Sequence, residues 1–219
     1  MKLKEVTVFG ATGMIGSSLL EILLNDTDCG KVNVVTRAPF SIINKKIESH
    51  VIDFSNPQSI SKIVKNSQVV FAAIGTTQSK VKRDQEAYRK VDMEIIINIA
   101  KACKTHNVEN FSFVSSSGAN EHAKGFYLKL KGQIEANVLS LDLPSTSVFR
   151  PSLLMGKRKE KRFGERLAQL VMPIFSKLMP SKFRPISAAL VAKAMVNISK
   201  SAPLGFNIYH FKEIIEKSN

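Results

Sequence analysis

The sequence predicts an α/β protein in which a doubly wound parallel sheet lies between two layers of helices, and three observations carry that prediction. Strand-like and helix-like segments alternate from the first residues to about position 200, the order that parallel strands joined by helical crossovers require. The strand candidate at residues 68–74 is continuously apolar, as strands covered on both faces are. The candidate at residues 6–9 runs straight into a turn punctuated by Gly10, Gly13 and Gly16, after which Ile15, Leu19, Leu20, Ile22 and Leu23 recur with helical spacing. With 219 residues, the expected organisation is one domain over residues 1–219 with a small C-terminal helical cap, residues 151–185 forming a basic, lid-like segment within it.

The remaining elements follow in order. Residues 25–30 break the first helix, and residues 31–36 form a second strand that delivers Arg37 to its carboxyl end. Residues 47–53 read as a third strand ending at Asp53, with Ser55 and Pro57 marking a helix start. The strand at 68–74 ends in Ile74 and Gly75. A long helix over residues 84–106 buries Tyr88, Val91, Ile95, Ile99 and Ala102 along one face. Residues 111–114 form a fifth strand that hands on to Ser115, Ser116, Ser117 and Gly118. Further on, Tyr127 and Lys131 stand four residues apart and share a helix face. Helices are expected at 167–179, with Pro173 as a kink, and at 186–199, followed by a short strand at 206–209.

Bulk properties bound the function. No apolar run approaches the ~18 residues that a membrane span needs, so no span is expected. The start Met1, Lys2, Leu3, Lys4 resembles an export leader, but Glu5 and Thr7 interrupt it, which leads to a cytoplasmic expectation. Cys29 and Cys103 are far apart and lack metal-ligand spacing, so no metal is expected. The net charge is +14, and residues 151–184 hold nine Lys or Arg against two Glu. Such a surface suits an anionic partner, yet Phe163, Phe175 and Phe183 are the segment's only aromatics, which argues against nucleic acid. The dense run at 157–166 reads as a lid, a docking surface for a protein partner, or a solvated helix start.

The chemistry begins at the glycine turn. Glycines at this spacing permit a tight turn and let backbone amides approach a pyrophosphate, at which the following helix aims its N-terminus. Gly10, Thr12, Gly13, Met14, Ile15 and Gly16 are therefore the candidates that hold a dinucleotide in a Rossmann-like crevice. An acidic residue after the second strand would bond the ribose 2′-hydroxyl of NAD, whereas Arg37 matches a 2′-phosphate. The expected cofactor is accordingly NADP(H) in preference to NAD(H). Asp53 either bonds the adenine amino group or caps a helix.

The motifs together resemble the short-chain dehydrogenase/reductase superfamily in its extended or atypical branch. The resemblance rests on Gly10-Ala11-Thr12-Gly13, Ile74-Gly75-Thr76-Thr77, Val114-Ser115-Ser116-Ser117-Gly118-Ala119, Phe126-Tyr127-Leu128-Lys129-Leu130-Lys131-Gly132 and Val148-Phe149-Arg150-Pro151-Ser152-Leu153-Leu154. It is nearest to a subgroup of NADPH-binding oxidoreductases that includes the Tat-interacting-protein homologues. The resemblance implies cofactor contacts at Arg37, Ile74, Gly75 and Leu154, with Arg162 as a further candidate. It also implies a catalytic set of Ser116, Tyr127 and Lys131, with Ser115 as the alternative serine. A free tyrosine, with a pKa near ~10, is a poor proton donor at neutral pH. A Lys131 ammonium 4 Å away would favour the phenolate by roughly 4 kcal/mol at an effective dielectric near 20. The same lysine would bond the nicotinamide ribose. Two functions fit: an oxidoreductase passing hydride between the nicotinamide and an unidentified carbonyl-like small molecule, or a cofactor-sensing protein that gates a partner.

Overall fold

A computed structural model describes residues 2–75, 84–155 and 184–219. Seven parallel strands form one sheet in the order β3-β2-β1-β4-β5-β6-β9, where β1 is Leu3–Phe9, β2 Cys29–Thr36, β3 Ile47–Val51, β4 Val69–Ala72, β5 Asn110–Val114, β6 Ser145–Phe149 and β9 Gly205–Tyr209. Two further short strands, β7 (Leu154–Met155) and β8 (Ile186–Ser187), pair with each other. Helices α1 (Met14–Asn25), α2 (Pro57–Val64), α3 (Gln85–Arg89), α4 (Ile95–Thr105), α5 (Phe126–Leu139), α6 (Ala188–Ser201) and α7 (Phe211–Lys217) complete the described secondary structure, with a π-helical turn at Lys90–Glu94 joining α3 to α4.

Alternation of side chains along each strand divides the core into two layers. Val6, Val8, Val32, Val34, Val69 and Phe71 face α1 and α6 on one side. Phe9, Val35, Val70, Ala72, Phe111 and Phe113 face α2, α4 and α5 on the other. The three-layer α/β/α architecture expected from the sequence is thus present. Because the chain winds β1 to β3 in one direction and then returns to place β4 on the free side of β1, a crevice opens at the carboxyl ends of β1 and β4, where doubly wound sheets bind ligands.

Several boundaries differ from expectation, each for a local reason. The third strand stops at Val51, which leaves Asp53 in the following turn, and the fourth spans only Val69–Ala72. The long helix begins after Asp84, whose carboxylate caps the amides of Glu86 and Ala87, but one extra residue per turn at Lys90–Glu94 divides it. Ile186 and Ser187 form a strand, because Ser187 caps the amide of Ala189 and starts the helix there. The strand Ser145–Phe149 carries three hydroxyl residues and lacks an apolar signature, yet all five residues are buried. Asn110 Nδ2 donates to Ser145 Oγ at 2.7 Å, and Ser145 Oγ in turn donates to the Pro203 carbonyl at 2.7 Å, which satisfies these groups inside the sheet. The expected helix at 167–179, its Pro173 kink and most of the basic 151–185 segment, the 157–166 run included, lie outside the described residues.

Candidate active site at the carboxyl edge of the sheet

The glycine turn shows the clearest physical constraint in the molecule. Gly10 has φ +85°, and a Cβ there would lie 2.6 Å from the Ala73 carbonyl at the end of β4. At Gly16 a Cβ would sit 2.0 Å from the Gly10 carbonyl. Only glycine lets α1 press onto the turn that precedes it. The Gly13 amide donates to the Gly10 carbonyl at 3.0 Å and closes the turn. Gly13 supplies no side-chain cap and no acidic residue stands in the first turn of α1, so the positive end of the helix faces the crevice. Thr12 and Gly13 are exposed, Met14 is half-buried, and Ile15 and Gly16 are buried, so Ile15 can meet a ligand only through its backbone. These features fit a dinucleotide pyrophosphate. Ile74 and Gly75 follow β4 on the opposite wall, half-buried and exposed respectively.

Arg37 follows β2 and Asp53 follows β3 at the same carboxyl edge of the sheet. Arg37 is exposed, and among the described residues it forms no ion pair. Asp53 is also exposed: its Oδ1 accepts from the Ser55 amide at 2.8 Å and its Oδ2 from the Ser55 hydroxyl at 2.7 Å. The hydroxyl, followed by the amide, holds the Asp53 carboxyl below its ordinary pKa. Asp53 does not cap α2; Asn56 does, through the Gln58 amide.

In the helix layer that packs on β4 and β5, α5 carries Tyr127, Lys131 and Glu135 at successive i,i+4 positions. The Lys131 ammonium is 5.8 Å from the centre of the Tyr127 ring. Its nearest anion is Asp92, whose Oδ2 accepts from Nζ at 2.7 Å, with both side chains buried. Burial works against the charge on Lys131, but the neighbouring charges, Asp92 first and then Tyr127, outweigh it and raise its pKa. The ammonium is therefore held by the Asp92 carboxylate. Tyr127 packs edge-on against Tyr88, ring centres 6.2 Å apart, and burial keeps the Tyr88 hydroxyl protonated by pushing its pKa up.

The structure distinguishes the two serines. Ser115 Oγ donates to Glu135 Oε1, which also accepts from Arg150 Nε at 3.0 Å, while Arg150 Nη2 donates to Glu135 Oε2. Ser115 is committed to this buried group. Ser116 is half-buried, and among the described residues its hydroxyl makes only a long 3.4 Å contact to the Ser117 carbonyl. Leu154 lies in β7, half-buried against the α1 and α6 layer. Arg162 lies outside the described residues.

Sequence reasoning missed Asp92, Glu135 and Arg150. Asp92 had a legible signal, a carboxylate at i+4 from Tyr88 and i−4 from Ile96 inside an apolar stripe, and π-helical turns of this kind recur at functional sites. Among the described residues no group of three or more His, Cys, Asp or Glu could hold a metal ion, and no helix is long and apolar enough to cross a membrane.

Comparison with known proteins gives the following. Residues 10–201 match the family described as NAD(P)H-binding. The mitochondrial protein FMP52-1 of Scheffersomyces stipitis is 33% identical over 201 residues, covering 89% of this chain and 88% of its own. Protein HTATIP2 of Rattus norvegicus is 29% identical over 200 residues, covering 90% and 81%. Among solved structures, the Bordetella bronchiseptica enzyme WbmH in complex with NAD+ superposes with a TM-score of 0.73 at 17% identity, covering 95% of this chain and 75% of that one. MoeE5 in complex with UDP-glucose and NAD gives 0.69 at 16%, covering 97% and 80%. At these identities the structural likeness is one of fold.

Two expectations are corrected by these findings. NADP(H), inferred from Arg37, is overturned by the NAD held in the WbmH and MoeE5 structures. The physical reason is that Arg37 is an exposed guanidinium without an ion pair among the described residues, so its position after β2 does not by itself select a 2′-phosphate. The cytoplasmic expectation is overturned by FMP52-1 and its counterpart in Debaryomyces hansenii, both named as mitochondrial.

Proposed function

The chain belongs to the NAD(P)H-binding family, within an extended short-chain dehydrogenase/reductase-like group related to FMP52 and HTATIP2, and on that premise we propose that it is an NAD(H)-dependent oxidoreductase of carbonyl-like small molecules. The observation that carries the reading is the placement of Tyr127 beside the buried, ion-paired Lys131 on α5, in the same fold as an uncapped glycine turn. Within this reading residues 1–219 act as one dinucleotide-binding unit of the FMP52/HTATIP2 type. Like the FMP52 proteins, it works in the mitochondrion.

Each residue then has a physical task. The α1 N-terminus with Gly10, Thr12, Gly13, Met14, Ile15 and Gly16 holds the pyrophosphate. Asp53 accepts from the adenine amino group, Arg37 stacks on the adenine, and Ile74, Gly75 and Leu154 flank the ribose and nicotinamide. When bound, the dinucleotide supplies the hydride. The Ser116 hydroxyl donates to the substrate oxygen, on which charge develops as its carbon is reduced. The Tyr127 hydroxyl gives that oxygen a proton, and the resulting phenolate is reprotonated from solvent. One N–H of Lys131 is held by Asp92, and its others bond the nicotinamide ribose and stabilise the phenolate. The reading is tested by incubating the protein with NADH deuterated at the transferring position and an aromatic ketone, and locating the label in the product.

A further inference from the structure

We propose that Glu135 is a positioning residue that clamps the carboxyl ends of β5 and β6 onto α5, and thereby sets Ser116 in register with Tyr127. This rests on the reading of Ser116 and Tyr127 as the reacting pair. The three elements that converge here are separate in sequence, and each carries one part of the proposed reactive end: Ser116 after β5, Tyr127 and Lys131 on α5, and residues 150–154 after β6. Glu135 touches all three. Its Oε1 accepts from Ser115 Oγ, the residue adjacent to Ser116, and from Arg150 Nε at 3.0 Å, while its Oε2 accepts from Arg150 Nη2.

The geometry suits a clamp. A carboxylate and a guanidinium bonded through two parallel N–H groups fix distance and plane together. The side chain of Glu135 is 7% exposed and that of Arg150 is 18%, so water competes little for either. Backbone bonds extend the clamp, because the Ser115 amide donates to the Phe149 carbonyl at 2.7 Å and the Ser117 amide to the Pro151 carbonyl at 2.9 Å. Ser116 is thereby held between two anchored neighbours, and its hydroxyl meets the Ser117 carbonyl at 3.4 Å. Glu135 also stands one helical turn beyond Lys131, so rotation of α5 about its axis would move Tyr127, Lys131 and Glu135 together.

Two variants and two readouts test this. Glu135→Gln keeps the size and removes the charge; Glu135→Met with Arg150→Met removes both partners and restores an apolar fit, which buried ion pairs commonly tolerate without loss of stability. In Glu135→Gln, hydrogen exchange at the Ser115 and Ser117 amides should rise about tenfold while the amides of β1 and β4 keep their rates. Turnover of 9,10-phenanthrenequinone with NADH should fall by about 10²-fold at unchanged NADH affinity, the effect of a displaced reacting group. The double variant should recover wild-type thermal stability without recovering turnover. Unchanged exchange at Ser115 and Ser117 in Glu135→Gln would overturn the clamp, and full turnover in a stable double variant would reduce the network to a structural role. Retained turnover in Tyr127→Phe would refute the reaction reading instead, leaving the exchange result to decide the clamp alone.

Discussion

Replacing Asp92 by Asn removes the buried anion that faces Lys131 while leaving an amide of the same shape. At 2.7 Å and an effective dielectric of 20 the pair attracts by roughly 6 kcal/mol. Desolvation offsets part of that, and removing one partner of a buried pair costs about 3–5 kcal/mol. For a chain of this length each kcal/mol lowers Tm by about 2–4 °C, so a fall of roughly 6–20 °C is expected at pH 7. The pH dependence gives the sign. Lys131 has a folded pKa raised above its ordinary 10.5, so its contribution is complete below pH 10.5 and is lost as pH rises through the folded value. In the variant, burial without the Asp92 charge disfavours the ammonium, so the destabilisation is greatest at neutral pH and the gap to wild type narrows as the solution becomes alkaline. Thermal melts of both proteins from pH 7 to 11 read this directly. Equal Tm values at pH 7, or a gap that does not change with pH, would refute the assignment of Asp92 as the partner that keeps Lys131 charged.

Two further predictions concern the glycine turn and α5. Gly16→Ala places a methyl group 2.0 Å from the Gly10 carbonyl, so the turn or α1 must shift; NADH affinity should fall more than about tenfold and stability by about 1–3 kcal/mol, measured by fluorescence titration and chemical unfolding. Tyr127→Phe should keep NADH affinity within about threefold but lose turnover by about 10²-fold or more, the contribution of a positioned proton donor.

The parts of the fold legible in the sequence are those where one residue type has one physical use. Gly10 and Gly16 mark a turn no larger side chain would fit, and the following apolar set has a single periodicity, so the β1–turn–α1 unit is found, with β1 beginning earlier, at Leu3. Tyr127 and Lys131 share a helix face for the same reason. What escaped notice depends on partners distant in sequence. Ser145, Thr146 and Ser147 carry no apolar pattern that marks a strand, yet Asn110 and the Pro203 carbonyl satisfy the hydroxyls of the two serines inside the sheet. Asp92 is buried because Lys131, 39 positions away, neutralises it, and the π-helical turn that presents it leaves no mark in the helical period beyond one charge in an apolar stripe. Arg37 illustrates the opposite error: a residue type with several uses is assigned one of them from its position alone, although its guanidinium is exposed and forms no ion pair among the described residues.

The central claim is that this chain moves hydride between NAD(H) and a carbonyl, and label transfer tests it most directly. Wild-type protein, NADH carrying deuterium at the transferring position and an aromatic ketone should yield an alcohol with one deuterium on the carbinol carbon and none from solvent. NADH that binds to the glycine turn while no tested ketone, aldehyde or quinone is reduced and no deuterium leaves the cofactor would contradict the claim.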